Sequence, residues 1–351
     1  MNTSFALAPL SALYGAAVRA RLALYRGGAL RQERAGAPVI SVGNITAGGT
    51  GKTPLVEWVA RAVAREGRRA CVLTRGYGRR DERLRVVVSD GERLLADAPE
   101  AGDEPRMLAE QLLGVASVVS DADRAAAARW ALENLRAQAF VMDDGFQHLR
   151  LARDLDVVAL DATAPWGGGH LLPRGRLREP RRGIGRADCV VITRADLAGD
   201  AAARALREEV SGLCGGAALV VEARARTTGL RRLADDTAGD EFVSAADVRS
   251  VGAFCAVGNP QSFFEHLRRD GHEPVLARAF TDHHAYTQSD LDSLTRAATE
   301  AGAHSLLTTA KDAVKLRRLS TKLPIYVVEI ALEIDEEEKL LELVRGALAK
   351  S

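Results

Sequence analysis

Along most of this chain, short apolar runs alternate with longer amphipathic stretches. Runs at 38–42, 70–74, 115–120, 139–142, 156–161, 188–193 and 217–221 have the length of buried strands. Between them, 55–66, a stretch through Met107, Leu108 and Leu112, 121–137 and 201–213 carry apolar residues at helical spacing. Residues 85–88, ahead of an Asp90-Gly91 turn, predict an edge strand. Strand–helix alternation of this kind predicts a mainly parallel sheet with helices on both faces.

The alternation fails between 223 and 247, where Arg, Thr, Asp and Gly separate short extended runs, and a hairpin-like linker is expected there. It then resumes, with strands at 251–257, 275–280, 305–309 and 325–329 and helices at 262–270, 288–301 and 336–348. The fold class is therefore α/β: a larger domain over 35–222 and a second, smaller α/β domain over 248–351.

Residues 1–34 stand apart. Leu10, Leu13, Tyr14, Ala17, Val18, Arg21, Leu22 and Tyr25 follow helical spacing, and Arg19, Arg21, Arg26, Arg31 and Arg34 face a single acid, Glu33. The apolar run is shorter than the ~20 residues that span a bilayer, and it lacks the basic start of a signal peptide. An apolar face with arginines suits a helix lying in a membrane interface. The same pattern suits a helix packed on the core, and spacing alone leaves both open.

Composition narrows the function classes. At 351 residues the chain has room for about two domains. A net charge of +1 offers no global field for nucleic acid. The four cysteines are scattered without a CxxC pair, which predicts buried free thiols in a reducing compartment.

The candidate chemistry begins at Gly43-Asn-Ile-Thr46-Ala47-Gly48-Gly49-Thr50-Gly51-Lys52-Thr53, between the 38–42 strand and a helix. Glycines there let backbone N–H groups turn toward phosphate oxygens. Lys52 reaches the β- and γ-phosphates, the Thr53 hydroxyl suits Mg²⁺, and the helix N-terminus favours an anion. The strict phosphate-loop pattern has glycine where this chain has Thr46. Asp143-Asp144 ends the 139–142 run, the place where a carboxylate holds Mg²⁺ in nucleotide-binding sheets. The loop Arg75-Gly-Tyr-Gly-Arg-Arg80 is either an anion site or an exposed turn. Asp103 and Glu104 open a helix, where acids are also plain dipole partners. The long basic loop over 165–180 holds Arg176 and neighbouring arginines that can clamp phosphate. His283-His284 follows a strand without a Cys/His partner at metal spacing; beside a carboxylate, such a histidine is half of a proton-accepting dyad.

Together, Thr46-Ala-Gly-Gly-Thr-Gly-Lys-Thr-Pro54, Gly102-Asp-Glu-Pro105, Asp143-Asp-Gly-Phe-Gln-His148, Leu172-Pro-Arg-Gly-Arg-Leu-Arg-Glu-Pro180, Asp282-His-His284 and Thr308-Thr-Ala-Lys-Asp312 resemble the tetraacyldisaccharide 4′-kinases of lipid A biosynthesis. The likeness runs in order along almost the whole chain. The family loop is similar to this one in lacking the first glycine. The resemblance implies a P-loop kinase that uses ATP and Mg²⁺ to phosphorylate the 4′-hydroxyl of a tetraacylated glucosamine disaccharide 1-phosphate. The reaction is expected at the cytoplasmic face of the bacterial inner membrane, with the lipid and the membrane surface as partners, and with no nucleic acid or obligatory protein partner.

By motif, residues 46–53 would cradle ATP, and Lys52 would stabilise the transferring group. Thr53, Glu104, Asp143 and Asp144 would hold Mg²⁺. Asp103, oriented by His283, would take the sugar proton, with His284 the positional alternative. Arg124 and Arg176 would contact phosphate. The likeness also moves the N-terminal helix toward the membrane reading. A membrane-associated ATPase switch shares the glycine loop and the basic helix. Loops of that kind resemble one another in a second lysine just before the glycines, where this chain has Ala47. A soluble small-molecule kinase leaves the helix without a task.

Overall fold

In a computed structural model, residues 7–233, 241–243 and 248–350 are described. Their strands are β1 (Val39–Gly43), β2 (Ala70–Thr74), β3 (Val86–Ser89), β4 (Ala116–Ser120), β5 (Ala139–Asp143), β6 (Leu155–Asp161), β7 (Cys189–Thr193), β8 (Leu219–Arg232), β9 (Glu241–Val243), β10 (Val251–Cys255), β11 (Leu276–Ala279), β12 (Ser305–Thr309) and β13 (Ile325–Ile334). They form one sheet in the order β11-β10-β12-β13-β8-β7-β6-β1-β5-β2-β4-β3, with β9 added to β8. Strands β1, β2, β4, β5, β6 and β7 are buried at every position, as expected where helices cover both faces. Strand β3 is an antiparallel edge strand, in line with its short, polar-flanked run.

Two parallel blocks meet at one antiparallel seam. Strand β8 runs parallel to β7, and β13 runs parallel to β12, but β8 and β13 pair antiparallel over nine positions. In a flat sheet this would put the C-terminal edges of the two blocks on opposite sides. Residues that follow β1, β5, β7, β10, β11 and β12 nevertheless line one cleft. The twist of these two long strands, with a register shift between Glu329 and Ile330, brings the edges face to face.

The seam changes two boundaries read from the sequence. Residues 223–232, expected in the linker, continue β8, and 230–232 pair antiparallel with β9. Residues 234–240 and 244–247 lie outside the described residues. The polar composition of 223–232 has a physical reason. Alternate residues Arg224, Arg226, Thr228 and Arg232 are exposed, because one face of this strand meets solvent. Strand β13 runs on to Ile334 and carries the chain back to the first block. There the helix Glu337–Leu348 buries Leu340, Val344 and Leu348 against Ile40, Val42 and Leu55. The final helix thus completes the core of the larger block.

The N-terminal helix Ala8–Arg26 splits its apolar residues between two faces. On one face, Ser11 Oγ donates to the Leu171 carbonyl at 2.8 Å and Tyr14 OH to the Arg178 carbonyl at 2.9 Å. Ser11 and Gly15 are buried there. On the other face Leu10, Leu13 and Leu24 are 54%, 68% and 47% exposed among the described residues. All four cysteines are buried and free.

Candidate active site

The cleft between the blocks holds about 780 Å³. One wall is the glycine loop. Strand β1 emerges from the core, and Gly51 takes a left-handed φ of +73° that lets the helix Lys52–Arg65 start at once. That helix has no side-chain cap, so its first N–H groups remain available to an anion. The loop is braced from behind: Asn44 Nδ2 donates to Thr50 Oγ1 at 2.9 Å, and Thr193 Oγ1 donates to the Thr50 carbonyl at 2.8 Å. Thr46, in the place of the usual glycine, is buried and bridges to Leu177. Ala47 N donates to the Arg176 carbonyl at 2.7 Å and Arg178 N to the Ile45 carbonyl at 2.8 Å. The basic loop is therefore laced to the glycine loop, and a side chain at 46 is tolerated because the backbone there is extended.

Lys52 and the paired acids meet at the floor. Lys52 Nζ lies 2.6 Å from Asp144 Oδ1, and Arg178 Nη1 lies 2.7 Å from Asp144 Oδ2. Burial alone would raise the Asp144 carboxyl; the Lys52 and Arg178 charges outweigh it and hold the group well below the usual range. Its neighbour behaves oppositely. Asp143 is buried, accepts from Thr74 Oγ1 at 3.2 Å, and is pushed up to about 6 by burial and by the Glu104 charge. Arg178 lay in the motif read from the sequence, but only its neighbour Arg176 was singled out. Asp144 is the partner that linear spacing does not reveal.

Arg176 donates through Nε to the Ala47 carbonyl at 2.8 Å and covers Gly48. Arg124 does not line the cleft. It is buried at the start of the helix Arg124–Asn134, where its charge acts on Asp143 and Asp144. Arg194, unremarked in the sequence, reaches the Gly49 carbonyl at 2.9 Å and pairs with Asp161.

The opposite wall takes residues from both blocks. Asp103 opens the helix Asp103–Gln111, and His283 follows β11; Nδ1 of His283 stands 3.4 Å from Asp103 Oδ2 across 180 residues of chain. His284 points elsewhere: its Nε2 is 3.1 Å from Asp290, and its ring stacks on Phe280. Lys311 Nζ lies 3.1 Å from Glu104, 3.1 Å from Asp282 and 3.2 Å from His283 Nε2. Three cleft residues, Asp144, Arg194 and His283, hold left-handed φ values of +53°, +55° and +60° without being glycine. Strain of this kind persists where the surroundings over-determine the backbone.

Among the described residues no three His, Cys, Asp or Glu side chains converge as a ready-made metal cluster. The donor chemistry still fits a hard divalent cation. Asp143, Asp144 and Glu104 carry carboxylate oxygens of the kind such an ion takes, and burial, with the Glu104 charge, raises the Asp143 group.

The family model for tetraacyldisaccharide-1-P 4'-kinase matches residues 3–349. A tetraacyldisaccharide 4'-kinase of Anaeromyxobacter sp. (strain Fw109-5) is 45% identical over 361 aligned positions, covering 98% of this chain and 92% of that protein. A protein of the same name from Geobacter sulfurreducens is 41% identical, over 93% of this chain and 88% of the relative. A crystal structure described as the "apo" form of LpxK from Aquifex aeolicus in complex with ATP superposes with a TM-score of 0.77 at 31% identity, over 98% of this chain and 99% of its own.

Proposed function

The chain belongs to the tetraacyldisaccharide-1-P 4'-kinase family, and from that premise we propose how the residues of its cleft divide the work of phosphoryl transfer. The protein is an ATP-dependent kinase of lipid A biosynthesis, and its acceptor is the 4′-hydroxyl of a tetraacylated glucosamine disaccharide 1-phosphate. The bond between the γ-phosphorus and the ADP oxygen breaks, and a bond from that phosphorus to the sugar oxygen forms. The sugar proton goes to Asp103.

The loop 46–53 holds the phosphates through backbone N–H groups, and Lys52 leaves Asp144 to follow the transferring charge. Thr53, Glu104, Asp143 and Asp144 would hold Mg²⁺, which neutralises phosphate charge when bound. Arg178 keeps Asp144 ionised and aimed once Lys52 has moved. Arg176 and Arg194 keep the loop in shape from its rim, and Arg124 supports the paired acids from behind. Two lobes hinged on β8 and β13 would close to exclude water as a competing acceptor.

A lipid acceptor must be met at a bilayer. The uncovered Leu10, Leu13 and Leu24, with Arg21 beside them, suit a helix lying in the interface. Among the described residues no helix is long and apolar enough to cross a membrane. The enzyme is thus read as peripheral, at the cytoplasmic face of the inner membrane.

One observation carries this reading: Lys52 and Asp144 line the same cleft as His283, whose Nδ1 stands 3.4 Å from Asp103 Oδ2. The test is transfer of label from [γ-³²P]ATP to the disaccharide 1-phosphate in detergent. Label is expected in the lipid, in an amount that follows ADP formed. Release of label only as inorganic phosphate would reject the acceptor.

A further inference from the structure

The smaller block places two lysines near the proposed proton-handling groups: Lys315 Nζ lies 3.9 Å from Asp103 Oδ2 and 3.1 Å from Asp312 Oδ1, while Lys311 reaches His283 itself. Thr309 caps the helix Ala310–Leu316 by accepting from Asp312 N. The fully buried Asp312 carboxylate in turn accepts from Ala256 N at 3.0 Å and Thr309 Oγ1 at 2.7 Å. This fixes the backbone that carries Lys311, whose side chain is 12% exposed. An ammonium group has three hydrogens and no lone pair. Here it has three acceptors: Glu104 Oε1 at 3.1 Å, Asp282 Oδ1 at 3.1 Å and His283 Nε2 at 3.2 Å.

The third contact has a chemical consequence. Lys311 can only donate, so Nε2 of His283 must be the bare, accepting nitrogen. The ring proton then sits on Nδ1, the atom 3.4 Å from Asp103 Oδ2. A neutral imidazole in this tautomer donates to the carboxylate and aims it. The backbone agrees: His283 N donates to Asp282 Oδ1 at 3.1 Å, which holds the left-handed φ of +60°.

We propose that Lys311 is a positioning residue that fixes His283 as the Nδ1–H tautomer, so that the imidazole orients Asp103 while the sugar proton stays on the carboxylate. The inference rests on the Asp103–His283 reading and assigns Lys311 a place behind it. It also separates the roles within the pair: His283 directs, and Asp103 accepts.

The test is ¹⁵N nuclear magnetic resonance of the whole protein labelled at its histidines, with the His283 signal identified by its loss in His283→Ala. The wild type should show protonated Nδ1 and bare Nε2. Lys311→Arg should keep that pattern, and Lys311→Met should lose it to the Nε2–H form or to a mixture.

Kinetics then supply the second arm. Lys311→Met should lower kcat about 10- to 100-fold, less than the ~10²–10⁴ of a general base, with the KM for ATP little changed and with Lys311→Arg partly restoring the rate. In a His283→Ala background the same change should cost under about twofold, because two residues acting through one group are not additive. An Nε2–H or doubly protonated ring in the wild type would overturn the proposal, as would equal losses from Lys311→Met in both backgrounds. If His283→Ala keeps full turnover, the dyad reading fails instead, and the tautomer result still reports on Lys311.

Discussion

At the scale of single residues, folding and chemistry conflict most at Asp143. Burial first, and then the Glu104 charge, push its carboxyl up from the usual carboxylate range to about 6. The native state therefore binds more protons than the unfolded state between about pH 4 and pH 6, and stability falls as pH rises through that window. A shift of about two units corresponds to at most ~3 kcal/mol lost at neutral pH. Asp143→Asn, which mimics the neutral carboxyl, should raise Tm over the wild type at pH 8 and lose that advantage near pH 4, while turnover collapses. Thermal scans at the two pH values check it. An equal Tm difference at both would show that the buried charge is not the cause.

Lys52→Ala should lower turnover by at least ~10²-fold, the scale for loss of one charge-stabilising donor, with Tm near the wild type because Arg178 still pairs with Asp144. The glycine loop, Lys52 and the acids were legible because each sits at a strand end in a short motif. Arg178 and Lys311 were not, because Arg178 meets Asp144 across 34 residues, and Lys311 meets His283 across 28 and Glu104 across 207. The choice of His283 over His284 needed the fold as well: adjacent residues point to different sides, and only contacts reveal which side is the cleft.

At the scale of elements, the N-terminal helix packs one face on the chain, and its exposed leucine face leaves the membrane reading to be tested. Its Ser11–Tyr14–Gly15 face seats on the 171–178 loop, and its leucine face is largely exposed among the described residues. Changing Leu10 and Leu13 to Glu together should leave Tm within the small range of exposed substitutions, about ±0.5 kcal/mol each. The same pair of changes should sharply weaken binding to anionic vesicles in flotation assays. Unchanged flotation would put the anchor elsewhere. Tyr14→Phe should act differently. It removes a hydrogen bond to the carbonyl of Arg178, worth ~0.5–1.5 kcal/mol, and should slow turnover without weakening vesicle binding. Strand β8 was the element least visible in sequence. Its second half alternates exposed Arg and Thr with less exposed residues, and that composition reads as a linker until a pairing strand is seen.

At the scale of the whole molecule, one sheet runs through both the larger and the smaller block. The alternation of strands and helices foretold both blocks and their parallel pairing. The seam was beyond it, because the direction in which β8 and β13 pair is fixed by contacts about a hundred residues apart. That seam turns two sets of strand ends toward each other, and only then do Asp103 and His283 meet. The central claim is that the two blocks share one proton-handling unit. The most direct measurement is a double-mutant cycle on Asp103→Ala and His283→Ala, with saturating Mg-ATP and the lipid acceptor. Each single change should cost ~10²–10⁴-fold, mainly in kcat, and the double change should cost little more than Asp103→Ala alone. Losses that multiply, as for two independent sites, would contradict it.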